Sequence, residues 1–126
     1  DIQAVPYSVL KDAQPGESSS TMRARVIAAR TKQEERFSEY NATAAKAVHC
    51  NAQMTPKLVR EFCQLDKAGD RMLSYAMDKM GLSARAYDRI LKVARTIADL
   101  DNSESIQMVH ISEAIGYRSL DREDWT

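Results

Sequence analysis

The sequence predicts an all-α fold: a helical bundle preceded by an extended N-terminal segment and a linker helix. Three observations carry that expectation. Glycine (4) and proline (3) are scarce among the 126 residues, too few for an all-β or loop-rich fold. Ala, Arg, Met, Lys and Leu, which lose little on entering a helix, are plentiful. Beyond residue 55 the apolar side chains recur at helical spacing in successive segments with short connections, as in an antiparallel bundle. The chain has the size of one small domain. Two parts are expected within it: residues 1–54 as extended segment, linker helix and connector, and residues 55–126 as the helical domain.

Residues 1–17 lack helical periodicity and are punctuated by Pro6, Pro15 and Gly16. "DIQAV" reads as a strand or a free end. A first helix follows over "SSSTMRARVIAARTKQEERF", capped by one of Ser18 to Thr21. Met22, Val26, Ala29 and Gln33 share one face, with Ile27 beside them. Arg23, Arg25, Arg30, Lys32 and Arg36 make this helix basic, and Glu34 and Glu35 come late. That order opposes the helix dipole, so packing or a bound anion must compensate. Residues 38–54 are weakly patterned, interrupted by Asn41 and Asn51, and read as a partly ordered connector.

The later helices have clearer boundaries. Thr55 caps the next one and Pro56 takes its first position, where a missing N–H costs nothing; Leu58, Val59, Phe62 and Cys63 form its apolar side. Asp66 is a plausible cap for a helix in which Ala68, Met72, Leu73, Ala76 and Met80 keep helical spacing, and Gly81 supplies its left-handed stop. Ser83 caps the most regular stretch, "GLSARAYDRILKVARTIADLD", which ends between Asp99 and Ser103. In the last helix, Ile106 and Ile111 form a hydrophobic staple around a Gln107 cap. Ile111, Ala114, Ile115 and Tyr117 face inward, and Gly116 weakens the helix by up to about 1 kcal/mol relative to Ala. Trp125 sits in an acidic tail.

Charge excludes some function classes. Lys plus Arg and Asp plus Glu balance at 18 each, which argues against bulk electrostatic binding to nucleic acid or membrane while leaving room for a local patch. No apolar run approaches a bilayer-spanning length, so no membrane partner is expected. Cys50 and Cys63 lack CxxC spacing and read as reduced thiols of a cytoplasmic protein. The start at Asp1, inside an extended-reading segment, suggests a piece of something larger.

Catalytic motifs are absent from the text: the four glycines never form a GxxxxGK loop, and there is no HExxH, GxSxG or zinc-type spacing. His49 beside Cys50 lacks further ligands, and no metal is expected; His110 reads as a surface imidazole. The sharper feature is a basic ridge. Tyr87, Ile90, Leu91, Ala94, Ile97 and Ala98 line the apolar half of their helix, and Arg85, Arg89 and Lys92 lie opposite, within about 60° of one another. Asp88 is placed to reach Lys92 and Arg85, and Arg95 to reach Asp99. Arg85 stands in the first turn, where the dipole disfavours a cation by about 0.3–1 kcal/mol, although a helix start plus an arginine also suits an anion. Spacing alone favours a solvated face.

The words of this stretch resemble the C-terminal signature of magnesium-chelatase-like AAA+ ATPases of the ComM (YifB) type. "PGESSSTMRARVIAARTKQ", "CNAQM", "EFCQLD" and "HISEAIGYRSLDR" resemble further segments of that family, in order, so that the resemblance covers residues 5–122. It implies that the chain is the helical lid, with its linker helix, of an ATPase whose Walker A, Walker B and sensor 1 elements lie upstream. It implies that Arg85, at the arginine of the Ser-x-Arg pattern, is the sensor 2 residue that leans on the γ-phosphate. Arg89 and Lys92 have no such assignment; phosphate, a neighbouring subunit or DNA are open to them. The parent implied is a homo-hexamer using ATP and Mg2+, associated with DNA branch migration during recombination and natural transformation. Two alternatives stand beside it: the ATPase subunit of a true magnesium chelatase acting on porphyrin, and a helical interaction module without a nucleotide role. The fragment alone is expected to hydrolyse no ATP.

Overall fold

The architecture is that of a computed structural model, which describes residues 19–120, with side chains through Tyr117. The described residues form five α-helices: α1 (Ser19–Thr43), α2 (Pro56–Phe62), α3 (Lys67–Met80), α4 (Ala84–Leu100) and α5 (Met108–Leu120). A 3-10 turn at Asn51–Gln53 separates α1 from α2. There is no strand among the described residues; Leu65 and Ile106 meet in one isolated parallel bridge. The all-α expectation holds. The extended reading of residues 1–17 and the docking of Trp125 lie outside the described residues.

The helix boundaries follow local chemistry. The Thr55 side chain accepts the Leu58 amide, with Pro56 at the first position of α2. Asp66 accepts from Gly69 N–H at 2.7 Å to start α3, and Gly81 ends that helix at φ 63°, a conformation an L side chain resists. Ser83 accepts from Ala86 N–H to start α4. Gly69 has a second duty: a Cβ there would stand 2.8 Å from Ile111 Cδ1, so its absence lets α3 and α5 approach closely.

The core is built around α4, which packs against α1, α2, α5 and the 3-10 turn, while α3 packs on α5. Leu73, Ile90, Ala94, Ala98 and Ile111 are at most 1% exposed. Phe37 of α1 is fully buried and meets Phe62 of α2 edge-on, ring centroids 5.7 Å apart. The expected face of α1 packs inward at Ala29 and Gln33, which are buried, and Met22 and Val26 pack with Ala29 against Leu100; Ile27, read as lying beside that face, is 55% exposed.

Two local expectations are corrected. Residues 38–54, read as a partly ordered connector, are built into the fold. α1 runs on to Thr43, and Asn41 forms a reciprocal pair with Val48, donating to its carbonyl and accepting its amide, both at 2.8 Å. Val48, Asn51 and Met54 are buried. The asparagines read as interruptions are thus the fastening groups. His110, read as a surface imidazole, is 2% exposed. Its Nδ1 accepts the Gln107 amide at 2.9 Å, closing the helix start, and its Nε2 lies 2.9 Å from Asp101 Oδ2. With Nδ1 accepting, the neutral ring carries its proton on Nε2 and donates it to Asp101.

The thiols differ in reach. Cys63 is buried and Cys50 half-buried. Burial pushes the Cys63 thiol up to about 11, against the pull of the Arg95 and Arg36 guanidiniums. A raised thiol pKa means stability present below 9.0, the ordinary value, and lost as pH rises toward about 11. At neutral pH a thiol reagent should titrate Cys50 in the native protein and Cys63 only on unfolding. Two rapid equivalents without denaturant would contradict this placement.

Candidate functional site

Capping by Ser83 makes Ala84 the first and Arg85 the second helical residue of α4. Arg85 is exposed, and among the described residues it has no ion-pair or hydrogen-bond partner. Arg89 is exposed one turn on. Lys92 is half-buried, its Nζ 3.4 Å from the Ala52 carbonyl oxygen of the 3-10 turn. The ridge therefore divides: two arginines face solvent and the lysine turns onto the protein's own backbone. Asp88 forms no salt bridge with Lys92 or Arg85.

Followed further along the same line of α4, the ridge is covered. Thr96 and Asp99 continue it by helix geometry, and α1 and the 3-10 turn lie across them. Asp99 is 1% exposed. Its carboxylate accepts a two-pronged pair from Arg36, Nη2 to Oδ1 at 2.7 Å and Nη1 to Oδ2 at 2.8 Å. Asn51 Nδ2 donates to Oδ2 at 2.9 Å, and Arg95 Nη2 lies 3.2 Å from Oδ1, the expected i,i+4 pair. Asn51 is held in turn: its Oδ1 accepts from Arg36 at 2.9 Å and its backbone N–H donates to Gln33 Oε1 at 2.9 Å. Arg95 also donates to the Ser103 and Glu104 carbonyls, at 2.9 and 3.1 Å. Burial pushes the Arg95 guanidinium down from its ordinary range while Asp99 opposes the shift; an arginine so placed stays charged. The site holds one carboxylate between two guanidiniums. It joins α1, the turn and α4 into one unit.

This network was only half visible in the sequence. Arg95–Asp99 follows from i,i+4 spacing, but Arg36 reads as one more cation on a basic helix and Asn51 as a break. The available signal was Asp99 itself, an acid in line with the basic ridge at the C-terminal end of the helix.

A cavity of about 450 Å³ opens between α2 and α4, lined by Val59, Arg60, Gln64, Asp70, Tyr87 and Asp88 among others. None of the three ridge residues lines it. Burial, then Asp70 and Asp88, push the Tyr87 hydroxyl up. No group of three His, Cys, Asp or Glu residues is placed to hold a metal among the described residues. None of the described helices is long and apolar enough to cross a membrane.

The described residues thus form an all-α unit with an exposed arginine at one helix start and a sealed ionic junction at that helix's other end. Residues 16–118 match the family described as magnesium chelatase, subunit ChlI C-terminal, and the chain belongs to that family. It is similar to the protein YifB of Escherichia coli, 40% identical over 123 residues, 97% of this chain and 22% of YifB. It is similar to competence protein ComM of Haemophilus influenzae, 40% identical over 107 residues, 85% of this chain and 19% of ComM. A Mycobacterium tuberculosis relative, Rv2897c, is 31% identical over 106 residues, 84% of this chain and 20% of the relative. The chain thus spans about a fifth of the length of these relatives.

Proposed function

We propose that this chain is the helical lid of an AAA+ ATPase of the ComM type, and that Arg85 reads the terminal phosphate of ATP held with Mg2+ by a preceding core. One observation carries the reading: Arg85 is an exposed cation in the first turn of α4, unpartnered among the described residues. The dipole disfavours a cation there, and an anion reverses the sign of that effect. Family membership and the Ser-x-Arg resemblance support the role. Arg85 stabilises negative charge on the phosphate, and the lid follows nucleotide state. The parent assembles as a homo-hexamer and moves DNA, as the family resemblance implies. The description of the matched family favours a second reading, an ATPase subunit of a true magnesium chelatase acting on porphyrin.

In the full-length protein carrying this chain, Arg85→Ala should lower ATP turnover by about tenfold or more, with helicity unchanged by circular dichroism. Arg89→Ala and Lys92→Ala serve as comparators. Unchanged turnover in a folded Arg85→Ala protein would overturn the role and leave a helical interaction module. DNA-stimulated turnover supports the first parent, and porphyrin-dependent metal insertion with partner subunits the second.

A further inference from the structure

Two surfaces of the chain have no part in the bundle or in the role of Arg85, and they complement each other. The first is a stripe on α1. Arg23, Ile27, Arg30 and Glu34 fall within about 60° of one another at 100° per residue, and all four are exposed. Ile27 is thus a large apolar side chain set between two cations, with an acid beyond the second. None of the three charged residues has an ion-pair or hydrogen-bond partner among the described residues. The second surface is the cavity of about 450 Å³ between α2 and α4, within the range of binding pockets. Val59, Cys63 and Leu91 give it an apolar floor. Asp70 of α3 and Asp88 of α4 both act on the Tyr87 hydroxyl, which puts both carboxylates beside one point of the wall. Arg60 enters from α2 and forms no salt bridge with either. Helix dipoles account for Arg60 in the last turn of α2 and Asp70 in the first turn of α3; they do not account for Asp88, or for Ile27 on the stripe.

We propose that the α1 stripe of one copy seats in the α2–α4 cavity of a second copy. Ile27 meets the apolar floor, Arg23 and Arg30 face Asp70 and Asp88, and Glu34 faces Arg60. Each charge then gains an opposite one, in a seat from which the apolar groups expel water and where such pairs fix the register. The stripe cannot reach its own cavity. Ala29, two residues from Ile27, packs against Leu100 at the far end of α4, and Tyr87 of the cavity lies 13 residues from Leu100, about 20 Å along the helix. The two patches differ, so the contact is head-to-tail, and copies joined by it close into a ring or grow as a chain. It deepens the homo-hexamer reading, resting on it for the closed ring, and assigns surfaces to it.

Sedimentation equilibrium of this chain up to about 1 mM, a concentration suited to a small and transient interface, tests it. The unaltered chain should pass beyond the dimer as concentration rises. Ile27→Asp spoils the stripe, and Asp70→Asn with Asp88→Asn spoils the cavity; each should weaken association at least about tenfold. Mixed one to one, these two variants should join as a dimer and stop there, because the pair keeps one intact cavity and one intact stripe. Glu34→Arg should weaken association, and Arg60→Glu added to it should restore it. Circular dichroism confirms that each variant is folded. A monomeric unaltered chain at about 1 mM, variants that associate as the unaltered chain does, a mixture that stays monomeric, or a charge exchange that restores nothing would each overturn the contact. Failure of the hexamer reading is separate: a full-length protein that is hexameric although this chain fails the mixing test keeps that reading and sinks this contact.

Discussion

Replacing Asp99 with alanine should lower the unfolding free energy by about 3–5 kcal/mol, the usual cost of breaking a buried ion pair by removing one partner. Asp99 is fully enclosed, and its loss leaves the guanidiniums of Arg36 and Arg95 facing each other with no counter-charge. Asn51 would also lose an acceptor for its amide. Little water can reach the gap, because Arg95 is 5% and Asn51 1% exposed. The penalty belongs to stranded charge rather than to the strength of the pair. A double replacement of Arg36 and Asp99 by apolar residues of similar volume should therefore recover much of the loss. Urea denaturation of the single and double variants measures both. A single-variant loss below about 1 kcal/mol would show the pair to behave as a solvated surface bridge.

Phe37→Ala should cost about 3–5 kcal/mol, the range for an aromatic removed from a packed core. Phe37 is 0% exposed, and its edge contact with Phe62 ties α1 to α2. The cavity would open where α1 meets α2. α1 should then loosen first, seen as faster amide exchange in α1 than in α4 and α5. Uniform exchange across all five helices would instead mean that α1 and the bundle unfold as a single unit.

The sequence made the helix starts legible because each is a local matter. Thr55 with Pro56, Asp66, Ser83 and Gly81 announce boundaries through hydrogen bonds or φ values that span three or four residues. The stripe on α4 was legible for the same reason, as one period within one element. The junction was not, because Arg36 and Asp99 stand 63 residues apart and Asn51 and Asp99 48 apart. Polar side chains carry no mark of burial until their partners are known. His110 misled in the same way: an imidazole in the first turn reads as solvated unless one sees that its own ring closes the turn. Lys92 belongs to the ridge by angle but not by environment, since the 3-10 turn that meets it comes 40 residues earlier.

α4 runs from a solvent-facing first turn to a last turn bound through Asp99 to α1. Arg85 and Asp99 are 14 residues apart, about 21 Å along a straight helix. Mechanically this is a beam clamped along one side by the core, from Ala86 to Ala98, with Arg85 on its uncovered edge. A push on Arg85 is therefore shared between the apolar seat of the helix and the ionic junction at its far end. The bidentate Arg36–Asp99 pair resists twist better than a single contact, because two parallel bonds fix an angle as well as a distance. α4 and α1 should thus turn together, with the Arg36–Asp99 pair as the stiff bearing between them.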